Sequence, residues 1–327
     1  MIPLSVLDLI PVREGSTISQ AFDAAGKLAK VAEENGYKRY WIAEHHATEG
    51  IAGGATSLAI SHIGHCTSTI RIGSGGIMLP NHNPFVIAEQ FGTLEALFPG
   101  RVDLGLGRAP GAGGRIAQAL RKDLMAAADN FPSDVVELRA LFTGDVDLPI
   151  KATPGFGADI EMWMLGSSLF GAQLAAKLGM PYAFASHFAP DHLDEALRVY
   201  RERFEPSPYL DTPHVMAAMT AIAADSDQEA FDLATSQDQS FVRLRTGDPG
   251  KLPPPVPGYR DTLPMMQRAM LERMDVARAV GSPDTVRDSI SRFVERTGAD
   301  ELILSGATYD PAAREKSLRL IMQAMGS

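Results

Sequence analysis

Short apolar runs that alternate with amphipathic stretches constrain this chain more than any other feature. Eight runs, at residues 4–10, 39–44, 70–77, 102–107, 161–166, 181–186, 214–223 and 301–305, read as strands, each followed by a helical pattern. Most are almost wholly apolar, as buried parallel strands are. Eight such units leave two arrangements, a closed β/α barrel or a doubly wound open sheet. The count of eight favours an eight-stranded parallel β/α (TIM) barrel. So does the lack of a Gly-x-Gly-x-x-Gly turn after the first strand. The 327 residues then form one barrel domain with insertions.

The helices carry their own start and stop signals. Asn83-Pro84 opens one, Phe91, Leu94 and Phe98 stripe it, and Pro99-Gly100 ends it. Ser282-Pro283 opens another, with Val286, Ile290, Phe293 and Val294 on one face and Gly298 beyond its end. Asp310-Pro311 opens the last, with Leu318, Ile321, Met322 and Met325 on one face. Two stretches exceed normal connector length, near 108–131 and 243–270. The second contains KLPPPVPGY at 251–259 and reads as a mobile lid or a disordered surface insertion.

Composition excludes several classes. Forty acidic against thirty basic residues give a formal charge of −10, and no Lys/Arg cluster stands out, so a nucleic-acid surface is not indicated. No apolar run reaches transmembrane length and no secretory signal opens the chain. The single cysteine, Cys66, cannot form an internal disulfide and reads as a small core residue. A cytoplasmic protein is the expectation.

Barrel chemistry sits at the C-terminal strand ends. The second strand ends in Ala43-Glu44-His45-His46, where alternation puts Glu44 and His46 on one side and His45 on the other. A histidine here can serve as a general base or bind a ligand. Two adjacent histidines also invite a metal-dependent barrel hydrolase, but the helical His-Glu-x-x-His spacing and a supporting carboxylate or cysteine cluster are missing. The third strand carries Gly73-Ser74-Gly75-Gly76, which suits either a close backbone approach to a flat ring or a kink at a barrel corner. The fourth ends in Gly105-Leu106-Gly107-Arg108, a reasonable phosphate-binding arrangement. The fifth runs into Gly166-Ser167-Ser168, where the serines either cap a helix or present hydroxyls and amides to the same anion.

Together these segments resemble the bacterial luciferase-like flavin monooxygenase family. The likeness covers nearly the whole chain and is densest in AEHH at 43–46, IRIGSGGIMLP at 70–80, GRVDLGLGRAP at 100–110, and GSS at 166–168 ahead of GMP at 179–181. The resemblance implies a barrel that binds FMN in its mouth, in a homodimer. It makes His45 the catalytic histidine and sets Glu44 beside the flavin. It makes Gly75 and Gly76 a bulge against which the ring packs, often with a cis peptide. It gives Arg108, Gly166, Ser167 and Ser168 to the phosphate, and His46 and His187 to the substrate pocket, with no metal. The chemistry implied is oxidation of a small organic substrate by reduced FMN and dioxygen, the reduced FMN arriving as co-substrate from an NAD(P)H-dependent flavin reductase. Where the alpha chain of luciferase has a reactive cysteine this chain has Gly107, so no thiol takes part. The alternatives are a deazaflavin-dependent hydride-transfer oxidoreductase and a non-catalytic flavin-binding barrel.

Overall fold

The computed structural model describes residues 2–108, 119, 123–144 and 150–326. Eight parallel strands close a barrel: β1 (Leu4–Asp8), β2 (Arg39–Ile42), β3 (Arg71–Met78), β4 (Val102–Gly107), β5 (Glu161–Gly166), β6 (Tyr182–Phe184), β7 (Val215–Ala223) and β9 (Glu301–Ser305). β7 pairs with β6 on one side and β9 on the other, and β9 pairs with β1. These are the eight strands expected from the apolar runs, in a TIM barrel. A ninth strand, β8 (Arg278–Gly281), pairs parallel with the far end of β7, from Thr220 to Ala223. It lies outside the closed ring and was not expected.

The local signals work as read. Helix α1 (Ile18–Glu34) opens on a capping box between Thr17 and Gln20. Asn83 accepts a hydrogen bond from the Phe85 amide at the start of α3 (Pro84–Leu97), which packs beside α2 (Thr56–Cys66). Phe91 and Leu94 of its stripe are buried. α4 (Leu124–Thr143) begins inside the connector expected at 108–131; residues 109–118 and 120–122 of that connector lie outside the described residues.

After β5 comes α5 (Leu169–Lys177), and after β6 comes α6 (Leu193–Glu202). α7 (Asp227–Thr246) ends on Gly247 at φ 85°, in the left-handed region that glycine occupies at no steric cost. The stretch 243–270 therefore starts in a helix. It continues through α8 (Tyr259–Thr262) into α9 (Met265–Met274). Buried Leu252 bridges to Arg13, and Arg260 pairs with Asp238 at 2.9 Å and Asp275 at 2.8 Å. Helix and ion pairs thus fasten what the sequence suggested as a lid or a disordered insertion. α10 (Pro283–Thr297) and α11 (Pro311–Gly326) complete the outer ring. Among the described residues no helix is long and apolar enough to cross a membrane.

Alternate strand residues face the barrel interior, and the interior is built in layers. At the N-terminal end Arg39 is buried and pairs with Asp103 at 2.8 Å, Glu161 at 2.9 Å and Glu301 at 3.0 Å. Ser5 adds a hydrogen bond to Glu301 at 2.6 Å. Charges this deep persist only when paired and hydrogen-bonded, and each partner here has several. Above them Trp41 and Trp163 meet edge to face at 5.5 Å, packed with Leu7, Met216 and Ile303. These two layers floor the barrel. Above the floor most inward positions are small, Ala43, Gly75, Gly105, Ala183 and Ala218 among them, with Leu9 and Leu165 the larger exceptions. Bulk below and small residues above leave room for chemistry at the C-terminal end.

Candidate functional site

The β2 ladder runs on past Ile42, because the Ala43 amide donates to Asp8 O at 3.0 Å and the Glu44 amide to Gly76 O at 3.4 Å. Ala43 belongs to the interior cluster, so alternation turns Glu44 outward and His45 inward. His187, in the turn after β6, lies near enough to His45 for the two imidazoles to act on each other's charge. Burial pushes both imidazoles below the ordinary histidine value, His187 to about 4 with nearby His45 adding to the effect. Glu44 pulls His45 the other way without reversing it. Two neutral imidazoles therefore look into the mouth from opposite strands at neutral pH.

Glu44 is buried at 1% exposure, and its carboxylate is fully engaged. His46 Nε2 lies 2.6 Å and His82 Nε2 2.8 Å from the same oxygen, Oε1, while the Met78 amide donates to Oε2 at 2.9 Å. Burial alone would raise this carboxyl; the hydrogen bonds and charge of His82, the Met78 amide and His46 take it below its usual value. Glu44 thus ties the end of β2 to the segment after β3. His46, expected to line the substrate pocket, is half-buried with its Nε2 on the Glu44 carboxylate. His45 and His46 diverge, which removes the metal pair they suggested.

Among the described residues the one group with metal-ligand spacing is Glu44, His46 and His82, whose ligand atoms lie within 4.8 Å of one another. Both imidazole nitrogens sit at hydrogen-bond distance from one oxygen, the geometry of a hydrogen-bonded node. A metal there would need both Nε2 atoms as free ligands, in place of their contacts with the carboxylate oxygen. His82 was not anticipated. It is 38 residues from Glu44, and only the β2–β3 pairing brings them together.

The register between β3 and β4 shifts between Ser74 and Ile77, and the Gly75–Gly76 peptide is cis. The bulge expected there is present at the barrel mouth, with both glycines half-buried. A Cβ on Gly76 would lie 2.6 Å from the Gly105 carbonyl oxygen, and one on Gly75 would lie 2.6 Å from Leu7 Cδ1 and 3.1 Å from Trp41. Gly107 is different: its nearest neighbour would be Ile77 O at 3.7 Å. Gly76→Ala should therefore destabilise the fold by about 1–2 kcal/mol through overpacking. Gly107→Ala should be close to neutral. Denaturant unfolding of both variants checks this; equal losses would mean that the backbone approach at Gly76 is not tight.

On the next strands, Gly107 pairs in register with Leu165, so Arg108 and Gly166 emerge side by side. The Arg108 guanidinium stacks 4.1 Å over the Phe170 ring, in the first turn of α5. Ser168 stands at the N-cap of α5 with an exposed side chain that makes no capping hydrogen bond, and Ser167 is half-buried beside it. The capping reading of these serines is not what the structure adopts. A cation, a helix N-terminus and uncommitted hydroxyls converge, which is the chemistry that holds a phosphate. The structure thus brings together Arg108, Gly166, Ser167 and Ser168 on β4–β5, beside Gly75 and Gly76 on β3 and His45 on β2.

A groove of about 470 Å³ lies elsewhere, between α7, α8 and β8, lined by Asp238, Tyr259, Arg260 and Arg278. It contains none of the residues singled out from the sequence, and both arginines are already paired with Asp238.

Comparison with known proteins follows the same lines. The family model described as luciferase-like monooxygenase matches residues 2–301. A luciferase-like monooxygenase of Escherichia coli (strain K12) is 47% identical over 322 residues, covering 98% of this chain and 96% of its own. The N-acetyl-S-alkylcysteine monooxygenase of Bacillus subtilis (strain 168) is 34% identical over 254 residues, covering 76% and 75%. The crystal structure of apo-MsnO8 superposes with a TM-score of 0.89 at 34% identity, covering 100% of this chain and 99% of its own.

Proposed function

Because the chain belongs to the luciferase-like monooxygenase family, we propose that it is an FMN-dependent monooxygenase acting on a small organic substrate in the barrel mouth. One observation carries the cofactor reading. Arg108 is stacked on the first turn of α5, one strand away from glycines that a Cβ could not replace without collision. A planar ring with a terminal phosphate on a short chain matches that pairing of backbone platform and anion cradle. FMN has one phosphate at its end; FAD would place a second phosphate and a nucleoside there.

Bound in its reduced form, FMN would supply the electrons that activate dioxygen. The protein's own part is distinct. Gly75 and Gly76 would receive one face of the ring. Arg108, Ser167, Ser168 and the α5 N-terminus would hold the phosphate. His45, inward and neutral, would accept or return a proton beside the ring. Glu44 would act through the bulge it ties down, since both its oxygens already have partners. The tryptophan layer below would keep water from entering through the barrel floor.

The same proposal includes an NAD(P)H-dependent flavin reductase as the source of reduced FMN. It also includes a homodimer. Leu58 on α2 and Val86 and Leu97 on α3 expose apolar surface on two helices packed side by side, which suits a second copy. A deazaflavin used for hydride transfer would draw on the same cradle, so the experiment must separate the two. Calorimetry with FMN, FAD and a deazaflavin cofactor is expected to rank FMN first, and added reduced FMN should support oxygen uptake that rises with substrate. FAD binding as tightly as FMN, or tight binding of the deazaflavin alone, would overturn this reading.

A further inference from the structure

Around the ring, β6, β7 and β9 lie opposite β2, β3 and β4. Among the described residues, buried side-chain atoms on the β6–β7–β9 side that have no hydrogen-bond partner include His187 Nδ1 after β6, Ser305 Oγ at the end of β9, and Ser236 Oγ and Ser240 Oγ on α7. Native proteins leave few buried polar groups without partners, and a group of them on one side of a functional mouth calls for a ligand.

Ser305 is the best defined. Glu301 and Ile303 point into the barrel, so Ser305 does too, at its upper rim. Its exposure is 6%. Its register partner on β7 is Thr220, also inward, whose hydroxyl accepts from Gln237 Nε2 at 3.3 Å and so keeps its proton to donate. Gln237 is itself held by the Ala307 amide at 2.9 Å. Hence α7 braces this rim. Ser240 lies one turn further along the helix, and Phe241 beyond it meets Phe188, the neighbour of His187.

We propose that this rim is the subsite that holds a neutral hydrogen-bonding group of the substrate, a carbonyl, amide or hydroxyl, with Ser305 at its centre. The inference rests on the mouth being the monooxygenase site, and it adds the chemical class that the site selects. Hydroxyls donate and accept without charge. His187 carries none at neutral pH, because burial holds its proton off. A carboxylate would surrender its hydration to groups that offer no compensating charge, whereas a carbonyl exchanges one hydrogen bond for another. Ala218 and half-buried Ala185 beside the rim leave space for the carbon skeleton.

Three probes of similar shape test this: cyclohexanone, methylenecyclohexane and cyclohexanecarboxylate, titrated by ligand-observed NMR with and without FMN. The wild type should bind the ketone about three- to tenfold more tightly than the alkene, the range of one neutral hydrogen bond, and the carboxylate least. Ser305→Ala should erase the ketone's advantage and leave the alkene unchanged. It should also keep or raise the melting temperature, since it removes a buried hydroxyl that has no partner. Equal binding of ketone and alkene, tightest binding of the carboxylate, or a melting temperature lowered by Ser305→Ala would each overturn the subsite. FMN binding is measured in the same samples, so loss of the cofactor reading stays separate. A protein with Ser305-dependent ketone preference and no FMN affinity would keep the subsite and sink the cofactor.

Discussion

Replacing His45 by alanine is expected to cut substrate-dependent turnover by roughly 10²–10⁴-fold, the usual loss when a positioned acid or base is removed. FMN affinity should stay within a small factor of the wild type, because the proposed phosphate ligands are on β4 and β5 and the platform is on β3. The reason for so large an effect is position. His45 follows inward-facing Ala43 on the β2 ladder and stands across the ring from His187. Its pKa is lowered by burial, which outweighs the pull of Glu44. The sign follows directly. A histidine with a depressed pKa stays neutral as pH falls through the ordinary value and protonates only below it. Turnover that needs the neutral form should therefore hold steady from pH 7.5 down past about 6.5 and fall only at lower pH. The His45→Ala variant should lack that acid limb. A His46→Ala variant should lose less, since His46 is bonded to Glu44 and works through the bulge. The measurement is the pH profile of oxygen uptake with reduced FMN supplied. Unchanged turnover in His45→Ala would remove the residue from the reaction.

How far the sequence led can be judged from particular elements. The eight ring strands were legible because each is an apolar run long enough to stand out. Their ends were less so, because pairing, rather than composition, decides them: β6 keeps only Tyr182–Phe184 of 181–186. β8 escaped notice since Arg278-Ala279-Val280-Gly281 is four residues with little apolar weight. The start of α4 was missed because Pro132, which ordinarily marks a helix's first turn, lies well within this one. Among candidate site residues, the glycine bulge was legible as a local motif, and so was the meeting of Arg108 with Gly166, Ser167 and Ser168 at the ends of neighbouring strands. The Glu44–His46–His82 node was not, because one partner is brought in by a strand pairing and no local pattern announces it. The charged floor was equally silent. Arg39, Asp103 and Glu301 come from three strands, and each alone reads as an interruption in an apolar run.

Arg108→Ala is expected to weaken FMN binding by about 1.5–3 kcal/mol, the range for a hydrogen bond to a charged group. That is roughly ten- to 150-fold in Kd. The prediction turns on where the guanidinium is held. Contact with the Phe170 ring holds it over the first turn of α5, so less rotamer freedom remains to be lost when an anion binds. The helix N-terminus adds to the same field, and the side chain of Ser168 makes no capping bond that would compete for it. Riboflavin, which has the ring and no phosphate, provides the control. It should bind wild type and Arg108→Ala almost alike, and the FMN advantage over riboflavin should shrink in the variant. Raising salt should weaken FMN binding to the wild type more than to Arg108→Ala, because a partly exposed ion pair is screened. Arg108→Lys should recover only part of the loss, since an ammonium keeps the charge but cannot present a planar fork or lie flat on Phe170. Parallel calorimetric titrations of the three proteins with FMN and riboflavin decide the matter. If riboflavin lost as much affinity as FMN, Arg108 would be supporting the barrel mouth rather than holding a phosphate. The cradle would then have to be sought elsewhere on β5 and α5.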